Sequence, residues 1–426
     1  MLFMSHSEVY CKPLSLIRDT EIENFTLKGV QKLFKSAGLS PSSARVIFVQ
    51  DNTLNAFVAG GSTVFIHTGL ILSSDNMDEY MGVLAHETGH VVGSHSVRII
   101  AESQKAQNVA LISTILGGVA AVAAGRADVG IAVMAGGYGA ATGLVNTHRQ
   151  SEENSADSIA VDILKKSGFS AKGLLHIMEK IKQEEQLRTS DIPTYMMSHP
   201  LTQDRLTFLQ HASEDEKEPT ETDDFNLVKA KLFSFLNNPE DTIKKYSGKT
   251  PAHIYAQSIA YFKKADVKKA LSLTEKLINT NPENPYFWEL KGQILFETGH
   301  ISQAIEAYQK AHNIIPDALL VRLSLAHALI EAGGEKDTLQ AKQHLSYIVS
   351  RDKYLPDAWR FLSIAEGRLK NTAQSLYALI EYNLLLGNTE QVNALIKKIK
   401  NEIKEDSSIH WRVLDIEEII NKKDEM

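Results

Sequence analysis

Cysteine is almost missing, with Cys11 the single one among 426 residues. One thiol excludes an intrachain disulfide framework and a thiolate-rich metal site, so any metal has to rest on His, Asp and Glu. A basic excess is missing too. The 52 acidic and 45 basic residues leave a formal net charge of -7. That charge creates no field of the kind that draws phosphate backbones, so nucleic acid is not an expected partner. The first stretch, "MLFMSHSEVYCKPLSL", lacks an uninterrupted apolar core because His6, Glu8 and Lys12 break it. No export signal is visible in it, and a cytoplasmic location stays open.

What is present suffices for roughly two or three domains, given 43% hydrophobic residues over this length. "RVIFVQ" (45–50) reads as a strand, and "NAFVAGGSTVFIHTG" (55–69) as two strands joined at Gly60-Gly61-Ser62. A helix is expected to begin near Asn76, capped by its side chain, with Glu79 three residues on. It carries "GVLAHETGHVVGSHS" (82–96). On a helix His86 and His90 lie about 40° apart and one turn from each other, so both imidazoles can bind one ion. Glu87 lies about 100° round from His86, off the ligand pair yet close enough to act as a general base on a water beside the metal. His95, about 140° from His90, is not expected to be a ligand.

A further ligand is expected from the helix that starts in "RQSEENSADSIAVDILKKSG" (149–168). Glu153 and Asp157, four residues apart, share a face; such a pair suits one carboxylate on the metal and one behind it, holding a ligand histidine in its tautomer. Acidic residues at a helix start would by themselves account for Glu152.

Between Lys105 and His148 only Arg126 and Asp128 are charged, and they separate two Ala- and Gly-rich stretches within 106–147. This is read as a hydrophobic helical hairpin, either packed on the domain or in contact with a membrane. The charge-rich "ASEDEKEPTETDD" (212–224) has almost nothing apolar to bury and reads as a linker. Beyond it Trp288, Gly292, Ala304, Tyr308, Ala311 and Pro316 fall at the spacings of a tetratricopeptide repeat, and Ala270 and Pro282 stand 34 residues before Ala304 and Pro316. Two clear repeats and two looser ones are expected, the third displaced by about three extra residues around Gly333-Gly334.

HETGH (86–90), E-N-S-A-D (153–157), the upstream "NAFVAGG" and the downstream "MMSHPLTQDRL" (196–206) together resemble the gluzincin peptidases related to the CAAX prenyl protease and the HtpX heat-shock protease. With the repeats added, the chain resembles the branch of beta-barrel assembly-enhancing proteases, periplasmic enzymes of bacterial envelope quality control. The resemblance implies one zinc per chain on His86, His90 and Glu153, with Glu87 as base and Asp157 in support. It places His199 close to the metal, either as an oxyanion stabiliser or as a fourth ligand that blocks it. Arg205 would anchor the Ser-His-Pro triplet. Asn55, Ala56, Phe57 and Val58 form the candidate strand along which substrate main chain would lie.

The expectation is therefore an α+β zincin-like metalloprotease domain (1–212), a linker with connecting helices (213–250), an all-α tetratricopeptide-repeat domain (251–400) and a C-terminal helix or tail (401–426). The repeats would recruit protein clients and outer-membrane assembly machinery, and 106–147 could touch a membrane surface. The alternative is a chaperone or scaffold whose peptidase site is normally self-blocked.

Overall fold

The computed structural model describes residues 15–59, 61–93, 149–187, 195, 199–219, 221–403 and 407–424. The hydrophobic hairpin expected over 106–147, and His95, lie outside the described residues. Among the described residues no helix is long and apolar enough to cross a membrane. The chain divides into two compact units, with the change at Leu236–Asn237.

In the first unit α1 (Thr20–Ser36) is started by Asp19, whose carboxylate accepts from the N–H groups of Glu21 and Ile22. Its buried Ile22, Val30, Leu33 and Phe34 recur at helical spacing and pack on the sheet. The sheet has four strands, β1 (Leu16–Ile17), β2 (Arg45–Val49), β3 (Ala56–Ala59) and β4 (Thr63–His67), in the order β1-β2-β4-β3. β2 and β4 run parallel, while β3 folds back on β4 as an antiparallel hairpin with Ala56 opposite Ile66 and Ala59 opposite Thr63. The turn uses Gly61 at φ 88°, a conformation that costs a glycine little. β3 is therefore an edge strand.

After the short α2 (Thr68–Ser73) comes α3 (Met77–Val92), which starts where the sequence places it. Asn76 accepts from the N–H of Glu79, and the Glu79 carboxylate accepts from the N–H of Asp75. Lys180 of α5 (Ala171–Leu187) pairs with Glu79 and Asp75 at 2.6 Å each. Against α3 also lies α4 (Arg149–Ser167). Glycines set these approaches: a Cβ on Gly82 would stand 2.7 Å from the backbone of Leu174, and one on Gly89 would stand 2.6 Å from the carbonyl oxygen of Ala156. A glycine inside a helix costs roughly 0.5–1 kcal/mol relative to alanine, and here that cost brings α4 against the histidine motif.

The acidic stretch after α6 (Gln203–Ala212) does not end the first unit. Glu216 accepts from the N–H of Ala171 and the hydroxyl of Ser170, and Glu218 pairs with Lys172 at 2.7 Å, so the stretch is bound to the start of α5. Beyond it α7 (Asp223–Leu236) buries Phe225, Val228 and Leu232 in the same core as α1 and α3. Its buried Lys231 lies 2.8 Å from Asp19 and 3.4 Å from Glu21. The first unit thus continues 24 residues past the boundary expected at 212, to Leu236, because acids that look solvated find partners on a helix about 45 residues earlier.

The second unit begins with α8 (Pro239–Lys245) and continues as helix pairs: α9 (Pro251–Lys263) with α10 (Val267–Thr280), α11 (Pro285–Glu297) with α12 (Ile301–Ile314), α13 (Leu319–Ala332) with α14 (Glu335–Arg351), and α15 (Pro356–Arg368) with α16 (Thr372–Leu386). Ala270 and Ala304 are fully buried where paired helices meet, and a Cβ on Gly292 would stand 2.6 Å from the Tyr308 ring. A side-chain N–H donates to the carbonyl six residues earlier at the start of three pairs, from Trp288 to Pro282, Arg322 to Pro316 and Trp359 to Lys353. The third pair is displaced as expected, α14 having 17 residues against 14 in α12. α17 (Thr389–Ile399) and α18 (Ser408–Asp424) close the unit over Val392, Ile396, Val413 and Ile416.

Candidate active site

α3 carries His86, Glu87 and His90, α4 carries Glu153 and Asp157, and Arg205 stands in the first turn of α6, where Thr202 caps the helix. Gly89 and Ala156 touch at the crossing of α3 and α4, so the carboxylates at 153 and 157 flank that contact and face the histidines. Glu153 is buried, whereas Glu152 is only half-buried, so geometry selects Glu153 for the centre.

His86 Nδ1 lies 2.8 Å from Asp157 Oδ1. With the carboxylate as acceptor, Nδ1 carries a proton, and in the neutral ring that a cation would bind Nε2 presents its lone pair inwards. That Nε2 stands 3.1 Å from His90 Nε2, 3.2 Å from Glu153 Oε2 and 3.4 Å from His199 Nδ1. One donor atom from each of His86, His90, Glu153 and His199 fits within 4.8 Å of all the others. Nitrogen lone pairs and carboxylate oxygens crowded so closely suit a single cation, and two imidazoles with a carboxylate are a zinc donor set. Glu87 stands beside them, 1% exposed, with its Oε1 making no hydrogen bond among the described residues and lying 3.4 Å from His199 Nε2. A buried carboxylate oxygen left open next to such a cluster fits a group that handles a proton of a bound reactant.

Residues 24–213 match the model of peptidase family M48. The first unit is an M48 peptidase. Residues 253–391 match the tetratricopeptide-repeat domain of cytochrome c-type biogenesis protein H. The whole chain is similar to the beta-barrel assembly-enhancing protease of Escherichia coli strain K12, 23% identical over 401 residues that cover 91% of this chain and 81% of that protein. The corresponding Yersinia pestis protein is 24% identical over 84% of this chain and 74% of its own length. Metalloprotease YcaL of Escherichia coli strain K12 is 28% identical over 42% of this chain and 66% of its own. The chain is thus a metalloprotease, an M48 domain followed by tetratricopeptide repeats.

Electrostatics in the M48 centre follow from burial opposed by pairing. Burial pushes the His86 imidazole down, but hydrogen bonds and charge from Asp157 and Glu153 outweigh it and lift it to about 9. Burial raises Glu87 to about 7 against the cations that His90 and His86 can become. Burial also raises Glu153 and Asp157, but His199, His86 and His90 hold the former far below the carboxylate range, and His86 with Arg205 lower the latter. Arg205, 1% exposed, secures the arrangement. It grips Asp157 through Nε at 2.6 Å and Nη2 at 2.9 Å, reaches Glu153 at 3.0 Å, and donates to the carbonyl of Pro200 at 2.9 Å. Arg205 thus holds both carboxylates as well as the Pro200 carbonyl.

The edge strand meets the centre directly, since the Glu87 carboxylate accepts the Val58 N–H. The Asn55 carbonyl instead faces β4 and accepts from the N–H of His67 at 3.0 Å. By alternation Ala56 and Val58 turn their main-chain groups away from β4, and Asn55 and Phe57 turn theirs toward it. Of the four residues expected to bind substrate main chain, two therefore face away from β4. Sequence reasoning missed Tyr195, which is buried with its ring stacked on His199 at 4.7 Å. Its only signal is a position four residues before that histidine.

Proposed function

We propose that this chain is a zinc endopeptidase of the bacterial envelope, periplasmic, that cleaves misfolded or misassembled proteins brought to it by the repeat unit. The observation that carries the reading is the convergence of His86, His90 and Glu153 around one point, with Glu87 buried beside them and joined to an edge strand. The name of the full-length relatives, beta-barrel assembly-enhancing protease, supports the envelope setting and a link to outer-membrane assembly machinery.

His86, His90 and Glu153 would hold the ion, which when bound supplies a Lewis acid for the scissile carbonyl and the attacking water. Asp157 keeps His86 in the tautomer that offers Nε2, and Arg205 keeps Asp157 in place. An extended client segment lies along β3, bonding to the outward main-chain groups of Ala56 and to the Val58 carbonyl, the Val58 N–H being held by Glu87; its sequence matters little there. Glu87 takes the proton from the attacking water and passes it to the leaving amine.

A second reading is favoured by one observation, the position of His199 Nδ1 within 3.1–3.4 Å of Glu153 and His86. As a fourth ligand His199 would shut the site, leaving a chaperone or scaffold for outer-membrane protein assembly. As a neighbour that stays off the ion it would steady the oxyanion. Glu87→Gln separates the readings. It keeps the ligands and removes the base, so zinc retention with casein cleavage and cellular function both lost supports the endopeptidase. Loss of cleavage with the cellular function intact supports the scaffold.

A further inference from the structure

The geometry points to Tyr195 as the positioning residue that fixes the plane of His199 and so decides where the imidazole nitrogens aim. The inference deepens the reading of His199 given above and rests on it. The two residues are joined twice. The N–H of His199 donates to the carbonyl oxygen of Tyr195 at 2.8 Å, and the rings stack with centroids 4.7 Å apart and planes at 29°. Among the described residues the other close approaches to His199 are made in a different way. Its Nδ1 stands 3.1 and 3.2 Å from the Glu153 oxygens and 3.4 Å from His86 Nε2, and its Nε2 stands 3.4 Å from Glu87 Oε1. The His86 ring meets it edge-on at 82°, and the His90 ring is tilted at 46°.

A histidine ring turns about its Cβ–Cγ bond, and a flat ring stacked on its face opposes that rotation. Tyr195 can serve as that surface because it is itself fixed, 1% exposed and 6.5 Å from the His86 ring. On the other side of His199, Arg205 holds the Pro200 carbonyl. The histidine is thus gripped before and after. Arg205 also serves the carboxylates, whereas the Tyr195 stack engages His199 by its face. The flat face does this work, so phenylalanine should replace tyrosine, and leucine, which keeps bulk without a flat face, should not.

The test uses the full chain as Tyr195→Phe, Tyr195→Leu, His199→Ala and the Tyr195→Leu/His199→Ala double variant. For each, kcat and KM on casein and the rate of zinc loss to a chelator are measured. NMR signals of the His199 ring are recorded in the chelator-treated protein. Tyr195→Leu is expected to shift kcat and zinc loss in the same direction as His199→Ala, by up to about tenfold, the scale of one aromatic stack. Tyr195→Phe should stay near the parent. In the His199→Ala background Tyr195→Leu should add nothing. A Leu effect that persists in full in that background, or a Phe variant as impaired as Leu, overturns the proposal, since either would mark Tyr195 as mere core. The ring signals separate this from the reading it rests on. If His199→Ala changes neither cleavage nor zinc loss, the role of His199 falls. Broadened His199 signals in Tyr195→Leu would still support positioning by Tyr195, and unchanged signals would overturn it.

Discussion

In the first unit His86, Glu153, Asp157 and Arg205 lie in the interior and satisfy one another across 48 to 71 residues of chain. In the second unit the interior is apolar helix against helix, and buried acids such as Glu366 and Glu381 each pair with a cation, Lys342 at 3.1 Å and Arg412 at 2.8 Å. The characteristic hydrogen bonds of that unit span six residues. The difference shows what each region can tolerate. A repeat is stabilised by its neighbours, so damage stays local. The metal centre is stabilised by closure of a network, so removing one member leaves the others buried and unpaired.

The largest expected effect comes from breaking that network at Arg205. Arg205→Leu strands Asp157 and Glu153 in the interior and should cost about 3–5 kcal/mol, the scale for breaking a buried ion pair. Denaturant titration of the intact chain measures it, and a loss under about 1 kcal/mol would mean that the carboxylates find other partners. Next is Gly89→Ala. The added methyl would meet the Ala156 carbonyl oxygen at 2.6 Å, forcing α3 and α4 apart at a cost of about 1–3 kcal/mol and weakening zinc binding. Unchanged affinity for zinc would show that the helix crossing does not set the ligand geometry.

In the repeats the matching change is small. Trp288→Phe deletes the bond to the Pro282 carbonyl and should cost about 1 kcal/mol with casein cleavage unchanged. A large loss of cleavage would erase the contrast between the units. At neutral pH the smallest expected effect is at His344, whose contribution appears only as a pH dependence. Burial, then His312 and Arg322, depress His344 to about 4. The unfolded chain therefore binds a proton between about pH 6.5 and 4 that the folded one refuses, so this contribution to stability is complete above the unfolded value and is lost as pH falls toward 4. His344→Gln should flatten the fall in melting temperature over that window, and an equally steep fall in the variant would assign it to other groups.

The same contrast explains what was legible in the sequence. The helix from Met77 through His90 and its cap at Asn76 depend on residues three and four apart, and the repeats on small residues 34 apart; both are periodic signals. The pairing of Glu153 and Asp157 on one face was legible for the same reason. The continuation of the first unit to Leu236 was not, because Glu216 and Lys231 look solvated until α5 and α1 supply their partners. Tyr195 was illegible because a ring stack on a histidine four residues away follows no pattern that the sequence alone displays.

The most direct test of the account is the metal content of purified protein, compared between the parent, His86→Ala and Glu87→Gln. The predicted result is about one zinc per chain in the parent and in Glu87→Gln, with most of it lost in His86→Ala. Full zinc retention in His86→Ala would contradict the assignment of the centre.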